Sequence, residues 1–222
     1  VCNFDCIYCE CGLTDSTKGE LPTRKKVAES LEDFLKDALE GGKAIDAITF
    51  AGNGEPTMHN DFPGIIDDTC ALRDKYYPKA QIALLTNATT VGSAKLQETF
   101  KKIDQSILKL DSVRRETVDL LNCPLGHYDL DKLITVLKGL HKPIIQTMFV
   151  RGSYNGKVFD NTSSEELIPW LETIKEINPS LVMIYTIARD TPIDTLEKID
   201  IEQLNEIGDK VRSMGIEVQI SG

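Results

Sequence analysis

The chain opens with Val1-Cys-Asn-Phe-Asp-Cys-Ile-Tyr-Cys9, a stretch that places Cys2, Cys6 and Cys9 within eight residues. The stretch has neither the periodicity of an amphipathic helix nor the alternation of a strand. Thiols at this spacing are suited to wrapping a compact metal centre rather than to joining distant parts of a fold. The sequence therefore predicts a metal-cluster loop at its start.

The spacing Cys-x3-Cys-x2-Cys, with the aromatic Tyr8 before the last cysteine, resembles the signature of the radical SAM enzymes. The resemblance implies a 4Fe-4S cluster on Cys2, Cys6 and Cys9, with Tyr8 beside the cofactors. Three cysteine ligands leave one iron of a cubane cluster open, and an open position is where a metal site does chemistry. In this family S-adenosylmethionine (SAM) chelates that iron, and its reductive cleavage gives a 5'-deoxyadenosyl radical that abstracts hydrogen from a substrate.

Two alternatives stay open for the same cysteines. With Cys11 as a fourth ligand they form either a structural zinc knot or the four-cysteine cluster of an electron-transfer protein. The single residue between Cys9 and Cys11 is a tighter gap than zinc sites normally use. Cys70 lies in a helical pattern and Cys123 next to a proline, which favours buried apolar thiols.

Length and composition limit the other classes. The 222 residues contain no linker or low-complexity tract, so we expect a single radical SAM core domain over residues 1–222. No apolar run matches a bilayer and no secretory signal is visible, which favours a cytoplasmic protein with no membrane partner. The formal net charge of −10 disfavours a broad nucleic-acid-binding surface. The three histidines and the serines form no hydrolase motif.

Short β-branched runs alternate with amphipathic helical stretches, which predicts an α/β fold with a parallel sheet. The predicted strands are Ala44–Ala51, Ala80–Thr86, Ser106–Leu110, Pro143–Val150, Leu181–Ile187 and Ile216–Ile220. The predicted helices are Arg24–Glu40, Phe62–Tyr76, Gly92–Lys101, Val113–Leu121, Leu130–Leu140, Ser164–Ile177 and Ile201–Met214. The pattern suits an open sheet or a barrel, and the family resemblance implies a partial (β/α)6 radical SAM barrel whose first strand is missing from this chain.

A second motif, Thr49-Phe-Ala-Gly-Asn-Gly-Glu-Pro-Thr57, runs from a strand into a glycine-rich loop. Gly52 and Gly54 allow close backbone approach, and Glu55 offers a carboxylate to an ammonium group. A phosphate loop is excluded because no Gly-Lys-Ser/Thr follows. The loop resembles the family's Gly-Gly-Glu-Pro segment, which holds the amino group of SAM, with Asn53 in place of a glycine.

Polar residues at later strand ends complete the predicted cofactor site. Thr86 and Asn87 resemble the family's Thr-Asn-Gly segment, and alternation places Lys109 and Asp111 on one face of their strand, as cofactor contacts or as a structural ion pair. Gln146 and Arg189 occupy comparable strand positions. His59 lies near the glutamate loop and is expected to be an ordinary loop residue.

Together these segments resemble the iron-sulfur oxidoreductase subgroup that includes wyosine-type tRNA synthases. The resemblance implies an oxidoreductase or transferase-type enzyme that takes electrons from a reductant such as flavodoxin or ferredoxin. It does not select among a metabolite, a peptide and an RNA as substrate.

Overall fold

The computed structural model describes residues 1–13 and 21–222, which divide into two compact units. The first unit contains residue 1 and residues 21–86 and 90–106. The second contains residues 2–13, 87–89 and 107–222. The predicted single domain over residues 1–222 stays a prediction.

The first unit surrounds a short parallel strand pair. Its elements are α1 (Arg24–Glu40), β1 (Ala47–Phe50), a 3₁₀ turn (Pro56–Met58), α2 (Phe62–Tyr76), β2 (Gln81–Thr86) and α3 (Gln97–Phe100). The Thr23 hydroxyl caps α1 by accepting from the amide of Lys26 at 3.3 Å. Apolar residues of α2 and β2, including Phe62, Ile82 and Leu84, are buried together. This core fixes the end of β1, where the glycine-rich loop begins.

The second unit carries most of the parallel strands. Its elements are β3 (Gln105–Lys109, which begins in the first unit), α4 (Arg115–Leu121), α5 (Leu130–Gly139), β4 (Ile144–Met148), β5 (Val150–Tyr154), β6 (Lys157–Asp160), α6 (Ser164–Ile177), β7 (Leu181–Tyr185), β8 (Leu196–Lys198), α7 (Ile201–Arg212) and β9 (Glu217–Ser221). Strands β4, β7 and β9 read as near-continuous apolar or alternating runs, as expected where helices cover a sheet.

Six strands form a parallel sheet in the order β1-β2-β3-β4-β7-β9, and β6-β5-β8 form a small antiparallel sheet. The α/β fold with six parallel strands confirms the prediction from the sequence. Within each unit the parallel strands bring their carboxyl ends to the same edge, where ligands bind in such folds.

The structure differs from the predicted elements mainly in a divided strand, a shortened helix and an additional hairpin, besides shifts of a few residues at other ends. The predicted strand Pro143–Val150 is two strands that belong to different sheets, because the chain leaves the parallel sheet at Phe149. The predicted helix Gly92–Lys101 shortens to Gln97–Phe100. The hairpin of β5 and β6 was not predicted, although Asn155 and Gly156 both have the positive φ values of a tight hairpin turn.

Among the described residues, the helices are too short or too polar to cross a bilayer.

Candidate functional site

The cysteine loop of residues 2–11 runs beside the segment that ends α4. The amide of Asp5 donates to the Asn122 carbonyl at 3.1 Å, and the amide of Ile7 donates to the Leu121 carbonyl at 3.0 Å. Within the loop, the Cys9 amide donates to the Cys6 carbonyl at 3.0 Å and closes a turn between these two cysteines. Main-chain hydrogen bonds therefore hold the loop backbone without a contribution from a ligand.

Two residues between the cysteines anchor the loop in the core of the second unit. Ile7 is 0% exposed and Tyr8 is 5% exposed. They pack in one apolar cluster with Leu121, Met148 and other residues of the strand ends. Burial of side chains of this size contributes about 1.5–3 kcal/mol each, so the cysteines are attached to a rigid support. Cys2, Cys6 and Cys9 remain partly accessible, and Cys11 is exposed.

A buried carboxylate, Asp111, connects the loop to the sheet. Its Oδ2 accepts from the Tyr8 hydroxyl and, at 2.7 Å, from the Asn122 side-chain amide. Its Oδ1 accepts from the Met148 backbone amide at 2.9 Å and lies 3.5 Å from Nζ of Lys109. Asp111 is therefore compensated by hydrogen bonds and by one cation, as a buried charge requires.

Lys109 occupies the space between two tyrosine rings. Its Nζ lies 4.9 Å from the ring centre of Tyr8 and 4.7 Å from that of Tyr185, and it contacts the Tyr185 hydroxyl. Burial lowers the pKa of Lys109, but Asp111 and Tyr185 outweigh it and the net pKa is raised. Burial raises the pKa of both tyrosines. The lysine is therefore a cation, and both tyrosines are neutral, at physiological pH.

The side-chain amide nitrogens of two asparagines lie within hydrogen-bonding distance of cysteine sulfurs. Asn87 Nδ2 lies 3.9 Å from Cys2 Sγ, and Asn122 Nδ2 lies 3.6 Å from Cys6 Sγ. Burial raises the pKa of the Cys6 thiol to about 12, an effect that a bound metal overrides because a coordinating thiol is deprotonated outright.

The glycine-rich loop, residues 51–57, belongs to the first unit. Gly52 and Gly54 have φ values of 153° and 134°, which L side chains rarely adopt. A methyl group on Gly54 would overlap the carbonyl of Val1, and the next amide, of Glu55, donates to that carbonyl at 2.9 Å. Gly54 is thus required by the close approach of the residue that precedes Cys2.

Hydroxyl groups hold the Glu55 carboxylate in place. Its Oε1 accepts from the Thr57 hydroxyl and from the Thr86 hydroxyl, each at 2.6 Å, and from the Thr57 amide at 3.1 Å. Glu55 is 5% exposed. A cavity of about 240 Å³ adjoins the loop, and Gly52, Asn53, Gly54 and Glu55 line it. The loop therefore presents an oriented carboxylate beside a space that a small ligand can enter.

The remaining predicted residues are distributed around the second unit. Gln146 in β4 is in register with Lys109 of β3, which places both on one face of the sheet. Arg189 is largely exposed and pairs with Glu10 of the cysteine loop at 3.3 Å. His59 bonds to the Pro22 carbonyl at 2.9 Å, as an ordinary loop residue does.

The arrangement of the possible metal ligands distinguishes a zinc site from an iron-sulfur cluster. Among residues 1–13 and 21–222, no three His, Cys, Asp or Glu side chains converge closely enough to hold one ion. A zinc knot requires such convergence, whereas each ligand of a cubane binds a different iron. Three partly buried thiols in one loop, with amides directed at two sulfurs, fit an iron-sulfur cluster.

Sequence reasoning missed several residues of this arrangement. Asn122 and Tyr185 contact predicted site residues but lie in no recognisable motif, and Thr57 ends the glycine-rich motif without having been given a role. Asn122 is 116 positions from Cys6, and only the folded chain brings the two together. Thr57 is the exception, since a hydroxyl two residues after Glu55 is a local signal.

The fold and the two loops define a class of protein, a parallel α/β protein with a three-cysteine loop and a glycine-glutamate loop. Residues 1–152 match the family model of the Radical SAM superfamily, and the chain belongs to that superfamily. Its members bind a 4Fe-4S cluster and SAM, so the predicted cofactors agree with the family. Membership of the wyosine-type subgroup stays a prediction, because these similarities define the superfamily and not the subgroup.

Curated relatives include two proteins that carry only a family designation. The chain is 24% identical over 198 residues to a UPF0026 protein of Synechocystis, and 26% identical over 219 residues to a UPF0026 protein of Methanocaldococcus jannaschii. It covers 68% and 62% of those proteins, from matches over 86% and 93% of its own length. It is also 28% identical over 209 residues, 92% of its length, to a protein of Brachyspira hyodysenteriae named GTPase Obg, of which it covers 29%.

Solved structures share the fold at low sequence identity. A radical SAM methyltransferase from Sphaerobacter thermophilus superposes with a TM-score of 0.73 at 14% identity, over 99% of this chain and 63% of that chain. SuiB from Streptococcus suis, solved with bound SAM, gives 0.69 at 17% identity, over 100% of this chain and 48% of that chain. At these identities the likeness establishes the fold.

Proposed function

We propose that the chain is the core of a radical SAM enzyme whose cluster binds to Cys2, Cys6 and Cys9. The observation that carries the proposal is the cysteine loop itself, three thiols on a support fixed by Ile7 and Tyr8. Membership of the superfamily and the fold of a SAM-bound neighbour support it. When bound, the cluster and SAM would supply one-electron cleavage of the SAM C5'–S bond, which would yield methionine and a 5'-deoxyadenosyl radical for hydrogen abstraction from the substrate.

We propose further that the glycine-rich loop receives the methionine part of SAM. Glu55 would accept the ammonium group, because hydroxyl donors on Oε1 fix the direction of its carboxylate. The backbone of Gly52, Asn53 and Gly54 would line the ligand, as it lines the cavity. Thr86 would act through Glu55, to which it donates.

The other predicted cofactor residues join the proposal with different support. Lys109, Asp111 and Tyr8 form one buried network. We expect them to support the residues around the site and not to contact a ligand directly. Gln146 shares the Lys109 face of the sheet, and Arg189 would act at the rim through Glu10. Asn87 lies at Cys2, where a cofactor on the cluster would be within reach.

The substrate, partners and location are proposals of a coarser kind. We infer an oxidoreductase or transferase that works in the cytoplasm with flavodoxin or ferredoxin as reductant. The motif resemblance to wyosine-type tRNA synthases makes tRNA the first substrate to test. The net charge of −10 makes metabolites and peptides equally necessary arms of the same test.

The decisive experiment is anaerobic reconstitution followed by iron and acid-labile sulfide analysis. We expect about four irons and four sulfides per chain in the wild type, as a 4Fe-4S cluster requires. Substituting Cys2, Cys6 or Cys9 by alanine should abolish the cluster, whereas Cys11→Ala and Cys70→Ala should keep it. With dithionite, the wild type should convert SAM to 5'-deoxyadenosine.

The alternatives give different results in the same experiment. One zinc per chain without sulfide would establish the structural zinc knot. A cluster lost in Cys11→Ala, together with no SAM cleavage, would establish the electron-transfer protein. Either result would overturn the proposed function.

A further inference from the structure

Two asparagines reach the cysteine loop from distant parts of the second unit. Asn122 follows α4, and its amide nitrogen lies 3.6 Å from Cys6 Sγ. Asn87 follows β2, and its amide nitrogen lies 3.9 Å from Cys2 Sγ. Each nitrogen–sulfur distance is within the longer range that hydrogen bonds to sulfur occupy. The two cysteines have the same type of donor although the donors have no sequence relationship.

Both amides are fixed by other bonds. The Asn122 nitrogen also lies 2.7 Å from Asp111 Oδ2 and 2.6 Å from the Tyr8 hydroxyl oxygen, so its two hydrogens are shared among three acceptors, and Asn122 is 3% exposed. The Asn87 amide donates to Asn3 Oδ1 at 2.7 Å, while its own Oδ1 accepts from the Thr89 amide at 3.1 Å. These bonds hold the orientation of each side chain in the absence of a cluster. The amide nitrogens therefore lie near the sulfurs because of the fold, and not because of a free side-chain rotation.

We propose that Asn122 and Asn87 are positioning residues that direct N–H groups at Cys6 and Cys2 and thereby raise the reduction potential of the bound cluster. The inference rests on the proposed function, since it concerns the cluster that these cysteines would hold. It assigns to Asn87 a role at the cysteine ligand, and it adds Asn122, which no sequence motif marks.

The physical reason is electrostatic. Hydrogen bonds to the sulfurs are among the factors that set iron-sulfur potentials. A one-electron reduction adds a negative charge to the cluster and its thiolates, and an N–H dipole directed at sulfur stabilises the reduced form more than the oxidised form. Groups that orient metal ligands are known to tune the metal in this way. Removing a donor should therefore make the cluster harder to reduce.

The test compares three leucine variants of buried or partly buried asparagines. Leucine approximates the shape of asparagine and keeps water from replacing the amide. Asn122→Leu and Asn87→Leu each remove an amide group that lies within hydrogen-bonding distance of a cysteine sulfur. Asn161→Leu is the matched control, because Asn161 is 2% exposed and its amide donates to the carbonyls of Asp111 and Met148 rather than to sulfur.

Each reconstituted protein is titrated with dithionite without SAM, and the reduced cluster is followed by electron paramagnetic resonance. We expect the midpoint potentials of Asn122→Leu and Asn87→Leu to shift to more negative values. The shift should be larger for Asn87→Leu, because the two hydrogens of the Asn122 amide are shared with Asp111 and Tyr8 as well as with Cys6. The Asn161→Leu midpoint should match the wild type even if that variant unfolds at a lower temperature.

The outcomes separate the inference from the function on which it rests. A wild type without iron and sulfide would remove the proposed function. If the wild type holds a normal cluster and Asn122→Leu and Asn87→Leu have the same midpoint reduction potential as the wild type, the inference is wrong and the proposed function still stands. If Asn122→Leu fails to fold, the partly exposed Asn87 position decides the question, and an unshifted Asn87→Leu potential then counts against the proposal.

Discussion

The cysteine loop and the glycine-rich loop are supported in opposite ways. The glycine-rich loop depends largely on its neighbours, because Thr57 lies two residues from Glu55 and the 3₁₀ turn follows directly, with further contacts from Val1 and from Thr86, 31 positions away. The cysteine loop depends on residues more than 80 positions away, including Asn87, Asp111 and Asn122. One loop is shaped mainly by backbone conformation and the other by a buried polar network.

Because of this difference, substitutions in the two loops should impair the site in different ways. A change in the glycine-rich loop should act on conformation and on ligand affinity. A change in the network behind the cysteine loop should act on the stability of the second unit, because partly satisfied buried polar groups are costly. The following predictions test that separation, beginning with the largest effect.

Asp111→Asn should cause the largest loss of stability. It removes the carboxylate that compensates Lys109 and leaves an unpaired buried cation, which costs about 3–5 kcal/mol. Urea unfolding of the metal-free protein measures the change. Asp119→Asn is the control, because Asp119 makes an exposed pair with Arg115 that is worth about 0.3–0.5 kcal/mol. Equal losses in the two variants would show that the network carries no special weight.

Gly54→Ala should destabilise the first unit by about 3 kcal/mol, through a strained φ and overlap with Val1. Gly126→Ala is the control, since its added methyl group meets no atom within 4 Å and its φ is not in the left-handed region. Thermal unfolding of both variants makes the comparison. A Gly54→Ala protein as stable as Gly126→Ala would mean that Val1 does not constrain the loop.

Glu55→Gln should weaken SAM binding by about 10- to 100-fold, because a charge-assisted hydrogen bond contributes about 1.5–3 kcal/mol. The change keeps an oxygen acceptor for Thr57 and Thr86, so stability should fall less than in Asp111→Asn. Equilibrium dialysis of SAM against the reconstituted protein gives the affinity. The control is Glu98→Gln, on the exposed side of α3, which should bind SAM like the wild type. An unchanged affinity in Glu55→Gln would show that the ammonium group of SAM does not bind to the Glu55 carboxylate.

The smallest effect concerns a carboxylate outside both loops and gives a baseline for them. Hydrogen bonds from Tyr76 and Lys75 lower the pKa of Glu32 to about 2. Its contribution to stability should be present above the unfolded pKa of about 4.3 and decline as the pH falls towards 2. A carboxyl titration by nuclear magnetic resonance measures the pKa, and Tyr76→Phe should raise it. An ordinary pKa in the wild type would contradict the bond.

Much of the fold was predictable because its signals are local. The helices α1, α2 and α6 match the predicted ranges, since apolar spacing and terminal residues define them. The hairpin of β5 and β6 was missed because Val150 continues the apolar run of β4, and nothing in that run marks the change of sheet at Phe149. Strand pairing is a property of the folded chain, so composition does not reveal it.

The candidate site was predictable only in part, for the same reason. The cysteines and the Gly-Glu-Pro segment are contiguous motifs and were identified from spacing. Lys109 and Asp111 were placed on one face by alternation, and the structure shows the ion pair that was one of two interpretations. Asn122 and Tyr185 were not identifiable, because their roles depend on contacts across 76 to 116 positions of sequence.

The main-chain bond from Glu55 to Val1 has a consequence for how cofactors are retained. Val1 is covalently joined to Cys2, so the residue whose carbonyl accepts from the Glu55 amide directly precedes a cysteine that we propose as a cluster ligand. Linkage is reciprocal. A saturating concentration of SAM should therefore slow the escape of iron to a chelator, and an iron-loaded chain should hold the nucleotide more tightly than a stripped one.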